Sequence, residues 1–182
     1  MALAALTRGQ AGGMRARRAG RRSTGGARDT GGTILSPDEV LALLPQQEPF
    51  RFVDEILEVS DSHILARYSF RPDADFYRGH FPGHPVTPGV ILLECIAQVS
   101  VVSLGIYVVA LESGLDAVKE GLALFADAHV DFSGIVKPGE RVTVSAKRVF
   151  FRRGKLRSKA EMHLDDGSMV CSGTISGMVV PR

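Results

Sequence analysis

The sequence predicts an α+β fold, an antiparallel sheet wrapped around one long central helix, from three observations. Six segments are rich in β-branched and aromatic residues, the composition of strands. One proline-free apolar run, from residue 89 to about residue 111, is long enough for several helical turns. The resulting order is short helix, two strands, long helix, four strands, and it lacks the strand–helix–strand alternation of a parallel sheet.

The chain has 182 residues with 45 % hydrophobic content, which suits one domain and a tail. Residues 1 to 33 carry seven arginines, one acidic residue and eight of the twenty glycines, without an apolar period, and are expected to be disordered. This Arg-rich, acid-poor stretch reads equally as an organelle transit peptide, an over-extended start or an inert tail. Of the formal charge of +2, residues 1 to 33 hold +6, leaving −4 on residues 34 to 182. A mildly acidic body argues against nucleic-acid binding. Cys95 and Cys171 lie among small and apolar neighbours and read as reduced core residues.

In the expected domain, residues 34 to 182, Ser36 can cap a short helix with Pro37 at its first position and Glu39 closing a capping box. Pro45 stops that helix near Leu43 and Leu44. Residues 50 to 60 and 62 to 70 flank Asp61 as a hairpin. For the long helix, Thr87 is the expected N-cap, Pro88 the first position, and Ser113-Gly114 the end. A membrane span of this length is the alternative, countered by Glu94 and Gln98 in its first two turns. Residues 122 to 132, 140 to 151, 155 to 164 and 168 to 179 complete the strands. Lys137-Pro138-Gly139-Glu140 suits a type II turn and Asp165-Asp166-Gly167 a tight hairpin.

The chemistry concentrates between Gly79 and Gln98. His80 and His84 are four apart, but prolines and glycines make the segment a loop, so no metal site is expected. Cys95 reads as a core residue rather than a nucleophile. A carboxyl at Glu94 on so apolar a helix must be paired, neutral or functional. Gln98 lies one turn on and can orient it, and burial favours the neutral, proton-donating form of a carboxyl. His80 is suited to act as a base. Gly89 places a free N–H at the start of the long helix, where charge developing on a carbonyl oxygen is stabilised. Base, acid and oxyanion donor suit removal of a proton α to a carbonyl and loss of a β-hydroxyl as water.

The run Gly79-His80-Phe81-Pro82-Gly83-x-Pro85-x-x-Pro88-Gly89-Val90, followed by Glu94 and Ala97-Gln98, resembles the 3-hydroxyacyl-acyl-carrier-protein dehydratases of the FabZ/FabA group. The likeness extends to Leu44-Pro45, Pro49-Phe50 and Val53-Asp54 upstream, and to Val136-Lys137-Pro138-Gly139-Glu140 and Arg152-Arg153-Gly154 downstream. It implies a hot-dog fold and a lyase of fatty-acid or related acyl-chain synthesis that needs no cofactor and no metal. It assigns His80 as the catalytic base and Glu94 as the acid, with Gly89, Val90 and Gln98 binding substrate. Glu rather than Asp at position 94 resembles the FabZ branch, which dehydrates without isomerising the product. Gln46-Gln47 depart from the usual His-Arg, and Arg51 from a common apolar residue.

The resemblance also implies homodimers, often assembled three at a time, whose sites combine the histidine of one chain with the carboxyl of the other. The partner it implies is an acyl carrier protein bearing the chain on phosphopantetheine, with no nucleic acid and no membrane insertion. Arg148, Arg152, Arg153, Lys155, Arg157 and Lys159 would form a basic patch steering that carrier, and Phe76, Tyr77 and Phe81 part of an acyl tunnel. The expected location is cytoplasmic, or organellar if the extension is a transit peptide. A hot-dog acyl thioesterase and a non-catalytic acyl-binding module are the alternatives.

Overall fold

The computed structural model describes residues 32–181; the expected N-terminal extension lies outside them apart from its last two residues. At that boundary the Thr33 N–H donates to the Ala110 carbonyl at 2.9 Å, tying the start of the domain to the central helix.

Helix α1 (Pro37–Ala42) starts as its sequence dictates: the Glu39 N–H donates to Ser36 Oγ, and the Glu39 carboxyl accepts from the Ser36 N–H at 2.7 Å. Strand β1 (Glu55–Val59) pairs with β2 (His63–Ser69). β1 is shorter than residues 50 to 60 predicted. The Phe50 carbonyl and the Phe52 N–H are both bound by the Gln98 side chain, so this segment pairs with a helix rather than with a strand.

The central helix is built in three pieces: α2 (Gly89–Ala97), a π-helical turn (Gln98–Ser103) and α3 (Leu104–Glu120). Within α3, Gly114 adopts φ 83°, a kink at the predicted end; the chain then turns helical again and leads into β3. The widened turn displaces the ladder, and hydroxyls compensate. Ser103 Oγ donates to the Gln98 carbonyl at 2.7 Å and Ser158 Oγ to the Ser100 carbonyl at 2.8 Å, the latter tying helix to sheet.

Strands β3 (Gly121–Phe132), β4 (Arg141–Arg152), β5 (Lys155–Leu164) and β6 (Met169–Pro181) complete one antiparallel sheet in the order β1-β2-β4-β5-β6-β3. Alternation sends Ile64, Ala66 and Tyr68 of β2, Val142, Val144 and Ala146 of β4, and Leu156, Ala160 and Met162 of β5 into the core. Each fully buried Leu or Val of the helix, such as Leu104 and Val108, adds about 1.5–3 kcal/mol against the sheet. The most apolar 18-residue window of the helix is 72 % buried, so its apolarity is spent inside the fold. The Lys137 carbonyl accepts from the Glu140 N–H at 3.2 Å with Gly139 at φ 84°, as a type II turn requires.

Candidate active site

The His80 loop is closed by reciprocal bonds between two residues. The Val86 N–H donates to the His80 carbonyl at 3.1 Å, and the His80 ring binds the Val86 carbonyl through Nδ1 at 3.0 Å. A carbonyl only accepts, so Nδ1 carries the proton and Nε2 keeps a free lone pair, the tautomer a base needs. Inside the loop, the His84 N–H donates to the Phe81 carbonyl at 2.9 Å, with Pro82 and Gly83 (φ 82°) in the middle of the turn. The His84 side chain is exposed.

The stem of the loop differs from expectation. Pro88, not Thr87, is the N-cap of α2, and no side chain caps that end. Thr87 Oγ1 instead meets the Tyr77 hydroxyl at 2.6 Å in the interior, while the Thr87 N–H donates to the Val136 carbonyl at 2.8 Å. A helix start without a side-chain cap leaves the N–H groups of Gly89 and Val90 open to a ligand. The Phe132 ring lies beside Gly89, where a Cβ would meet it at 3.5 Å, and the Val90 side chain is 73 % exposed.

Glu94 projects half-buried from α2. Gln98 Nε2 donates to Glu94 Oε1 at 2.9 Å and to the Phe50 carbonyl at 2.8 Å, and Gln98 Oε1 accepts from the Phe52 N–H at 2.7 Å. Gln98 is itself wholly buried, so its amide orientation is fixed by three partners and the carboxyl with it. One turn of helix brings the two together as their spacing predicts. Cys95 is wholly buried and donates from Sγ to the Phe52 carbonyl at 3.3 Å; burial pushes its thiol far up, the opposite of an activated nucleophile.

Glu94 lines a cavity of about 150 Å³ with Ala97, Val101 and Val102 of the helix and with residues of β3, β5 and β6, among them Leu124, Phe125, Leu156 and Met178. Its walls at Val101, Val102, Ala123 and Val179 are shared with a second apolar cavity reaching Leu43, Ile106 and Val109. His80 does not line the Glu94 cavity. Neither do the expected wall residues: Phe76 packs on Tyr77 with ring centroids 4.5 Å apart, Tyr77 is held by Thr87, and Phe81 is 58 % exposed. The cavity wall comes from the apolar helix, as expected, and from strands β3, β5 and β6, whose register with the helix no local pattern encodes.

The basic hairpin is partly neutralised. Asp127 accepts from Lys155 at 2.8 Å, from Arg157 at 2.7 Å and from Ser176 Oγ at 3.1 Å, and these donors hold its carboxyl well below the usual range. Arg148 pairs with Asp61 and Glu112. Arg152 and Arg153 remain exposed at the tip, where Arg153 (φ 51°) and Gly154 (φ 75°) form the turn.

A model of the FabA-like domain matches residues 44–174. The chain is 35 % identical over 142 residues to the 3-hydroxyacyl-[acyl-carrier-protein] dehydratase FabZ of Streptococcus pyogenes serotype M3, covering 76 % of this chain and 94 % of that one. The FabZ of serotype M1 of the same species matches to the same extent, 35 % over 142 residues. Among solved structures, the dehydratase heterocomplex ApeI:P from Xenorhabdus doucetiae superposes with a TM-score of 0.59 at 15 % identity, covering 81 % of this chain and 93 % of that one. A thioesterase from Haemophilus influenzae gives 0.59 at 14 %, covering 84 % and 95 %. These two likenesses carry the hot-dog fold alone.

Proposed function

The chain belongs to the FabA-like family, and from that membership and its site we propose that it removes water from (3R)-3-hydroxyacyl-acyl-carrier-protein to give the trans-2-enoyl thioester. The observation that carries this reading is the Gln98-held carboxyl of Glu94 on the wall of an otherwise mostly apolar cavity. His80 Nε2 takes the C2 proton, and charge gathering on the thioester oxygen is met by the Gly89 N–H and the start of α2. Glu94, in its neutral form, gives its proton to the C3 hydroxyl as the C3–O bond breaks, and water leaves. His80 then holds one proton more and Glu94 one fewer, and transfer through solvent resets the pair. The apolar cavity receives the acyl chain.

The acting unit is a homodimer. Among the described strands, β3 is an edge of twelve residues exposing Leu122, Leu124, Phe125 and Phe132, whereas the other edge, β1, has five residues and carries Glu55 and Glu58. An unprotected apolar edge invites pairing with a second copy. Each site then takes His80 from one chain and Glu94 from the other, which accords with their not sharing a cavity within one chain. Exposed Arg152 and Arg153 are the steering charges for a carrier protein, and the site is cytoplasmic, or organellar if the N-terminal extension is a transit peptide.

His80→Ala and Glu94→Gln are each expected to lose about 10²–10⁴-fold in dehydration rate. Mixed, unfolded and refolded together, the two inactive variants regain roughly a quarter of wild-type activity, because half of the dimers are mixed and each of those carries one intact site of two. Full activity in either single variant sinks the mechanism, and no recovery on mixing sinks the shared site. Release of free carrier thiol by the wild type, rather than enoyl product, would favour a thioesterase.

A further inference from the structure

Apart from Glu94, Gln46 supplies the only polar side chain among the described residues lining the Glu94 cavity. Its amide oxygen is buried and has no hydrogen-bond partner among the described residues. Its neighbour Gln47 shows the contrast, since Gln47 Nε2 donates to the Leu44 carbonyl at 3.2 Å. A buried amide left unpaired lowers stability, so a chain that keeps one gains something when a ligand arrives.

We propose that Gln46 selects acyl chains carrying a second hydroxyl group beyond C3, by hydrogen bonding that hydroxyl inside the pocket. This rests on the dehydratase reading and deepens it to a substrate class. A hydroxyl fits for two reasons. It both donates and accepts, so it satisfies the amide whichever way the oxygen and nitrogen are turned. It is also small enough to travel on an acyl chain past walls that are otherwise apolar, such as Val101, Ala123 and Leu156. A chain without it leaves the buried amide oxygen unpaired, which is how a polar group rejects an apolar analogue.

The test uses purified full-length protein and two sets of carrier-linked 3-hydroxyacyl chains of equal length, unsubstituted or with one further hydroxyl at successive carbons beyond C3. The wild type should favour at least one hydroxylated chain in kcat/KM. Gln46→Leu and Gln46→Met should each lower kcat/KM for that chain roughly tenfold while leaving or raising the value for the unsubstituted chain. Their thermal midpoints should not fall, because an unpaired polar group has been removed. A wild type that dehydrates unsubstituted chains but prefers no hydroxylated one overturns this inference and leaves the dehydratase reading standing. Equal losses on both sets in both variants also overturn it, since Gln46 would then serve the departing C3 hydroxyl. A wild type inactive on every chain overturns the dehydratase reading and this inference with it.

Discussion

Placed side by side, His80 hangs on a surface loop closed by backbone groups, whereas Glu94 rises from a helix whose next turn is locked into the core by Gln98. The loop half uses mainly local bonds: His80 and Val86 hold each other, and Tyr77 and Thr87 clamp the stem, with one distant bond from the Thr87 N–H to the Val136 carbonyl. The helix half is held over a long stretch of sequence, because Gln98 binds Phe50 and Phe52, 48 and 46 residues away. The loop can therefore be perturbed without unfolding the domain, while the Glu94 carboxyl cannot be loosened without cutting into the core. A site whose halves differ in this way couples Glu94, more than His80, to global stability.

The sharpest way to break this comparison is Gln98→Leu. It strands the Phe52 N–H in the interior, at about 1–3 kcal/mol for that unpaired group, and takes one partner from the part-buried Phe50 carbonyl. It also frees the Glu94 carboxyl, so kcat should fall about 10–100-fold together with the denaturation midpoint. Urea unfolding and steady-state kinetics on the same preparation check it. A large loss of kcat at unchanged stability would mean that Gln98 serves only the carboxyl, and the two halves would then be anchored alike.

How much of this was legible in the sequence follows the same division. The Glu94–Gln98 pair, the type II turn at Pro138-Gly139 and the capping box of α1 all lie within four residues along the chain, and local pattern finds such features. The order of elements around the apolar helix was equally plain. What failed were features with distant partners. Residues 50 to 52 look like strand until the Gln98 amide takes the Phe50 carbonyl and the Phe52 N–H. Thr87 looks like an N-cap until Tyr77 claims its hydroxyl. The six basic residues of the hairpin look like one patch until Asp127, Asp61 and Glu112 neutralise three of them. The π turn from Gln98 to Ser103 has no evident local signal beyond the two serines at 100 and 103.

A smaller effect should come from the loop half. Tyr77→Phe removes a buried hydroxyl and leaves Thr87 Oγ1 without that partner, costing about 0.5–1.5 kcal/mol. If the loop is locally held, catalysis should respond more than folding: a several-fold drop in kcat/KM with a midpoint shift near the lower end of that range. A double variant, Tyr77→Phe with Thr87→Val, removes both partners and should recover part of the stability but not the rate. Recovery of both would show that the clamp serves only the fold.

The gentlest test is alkaline pH, which acts on the helix half. Burial raises the thiols of both Cys95, which holds the Phe52 carbonyl, and Cys171, the latter to about 11. Unfolded cysteine ionises near pH 8.5, so the unfolded chain releases protons that the folded chain keeps. A raised folded pKa contributes stability that is complete below about pH 8.5 and is lost as pH climbs toward the folded value. Tyr68, pushed up to about 12 mainly by burial, extends the decline beyond pH 10. The urea midpoint should hold level between pH 7 and 8 and fall steadily from about pH 9 to 11. In Cys95→Ala with Cys171→Ala the midpoint starts lower, because two core side chains shrink, but it should fall less steeply over the same range. An equal slope in that variant would place the alkaline sensitivity outside the two thiols, in the buried phenols Tyr68 and Tyr77.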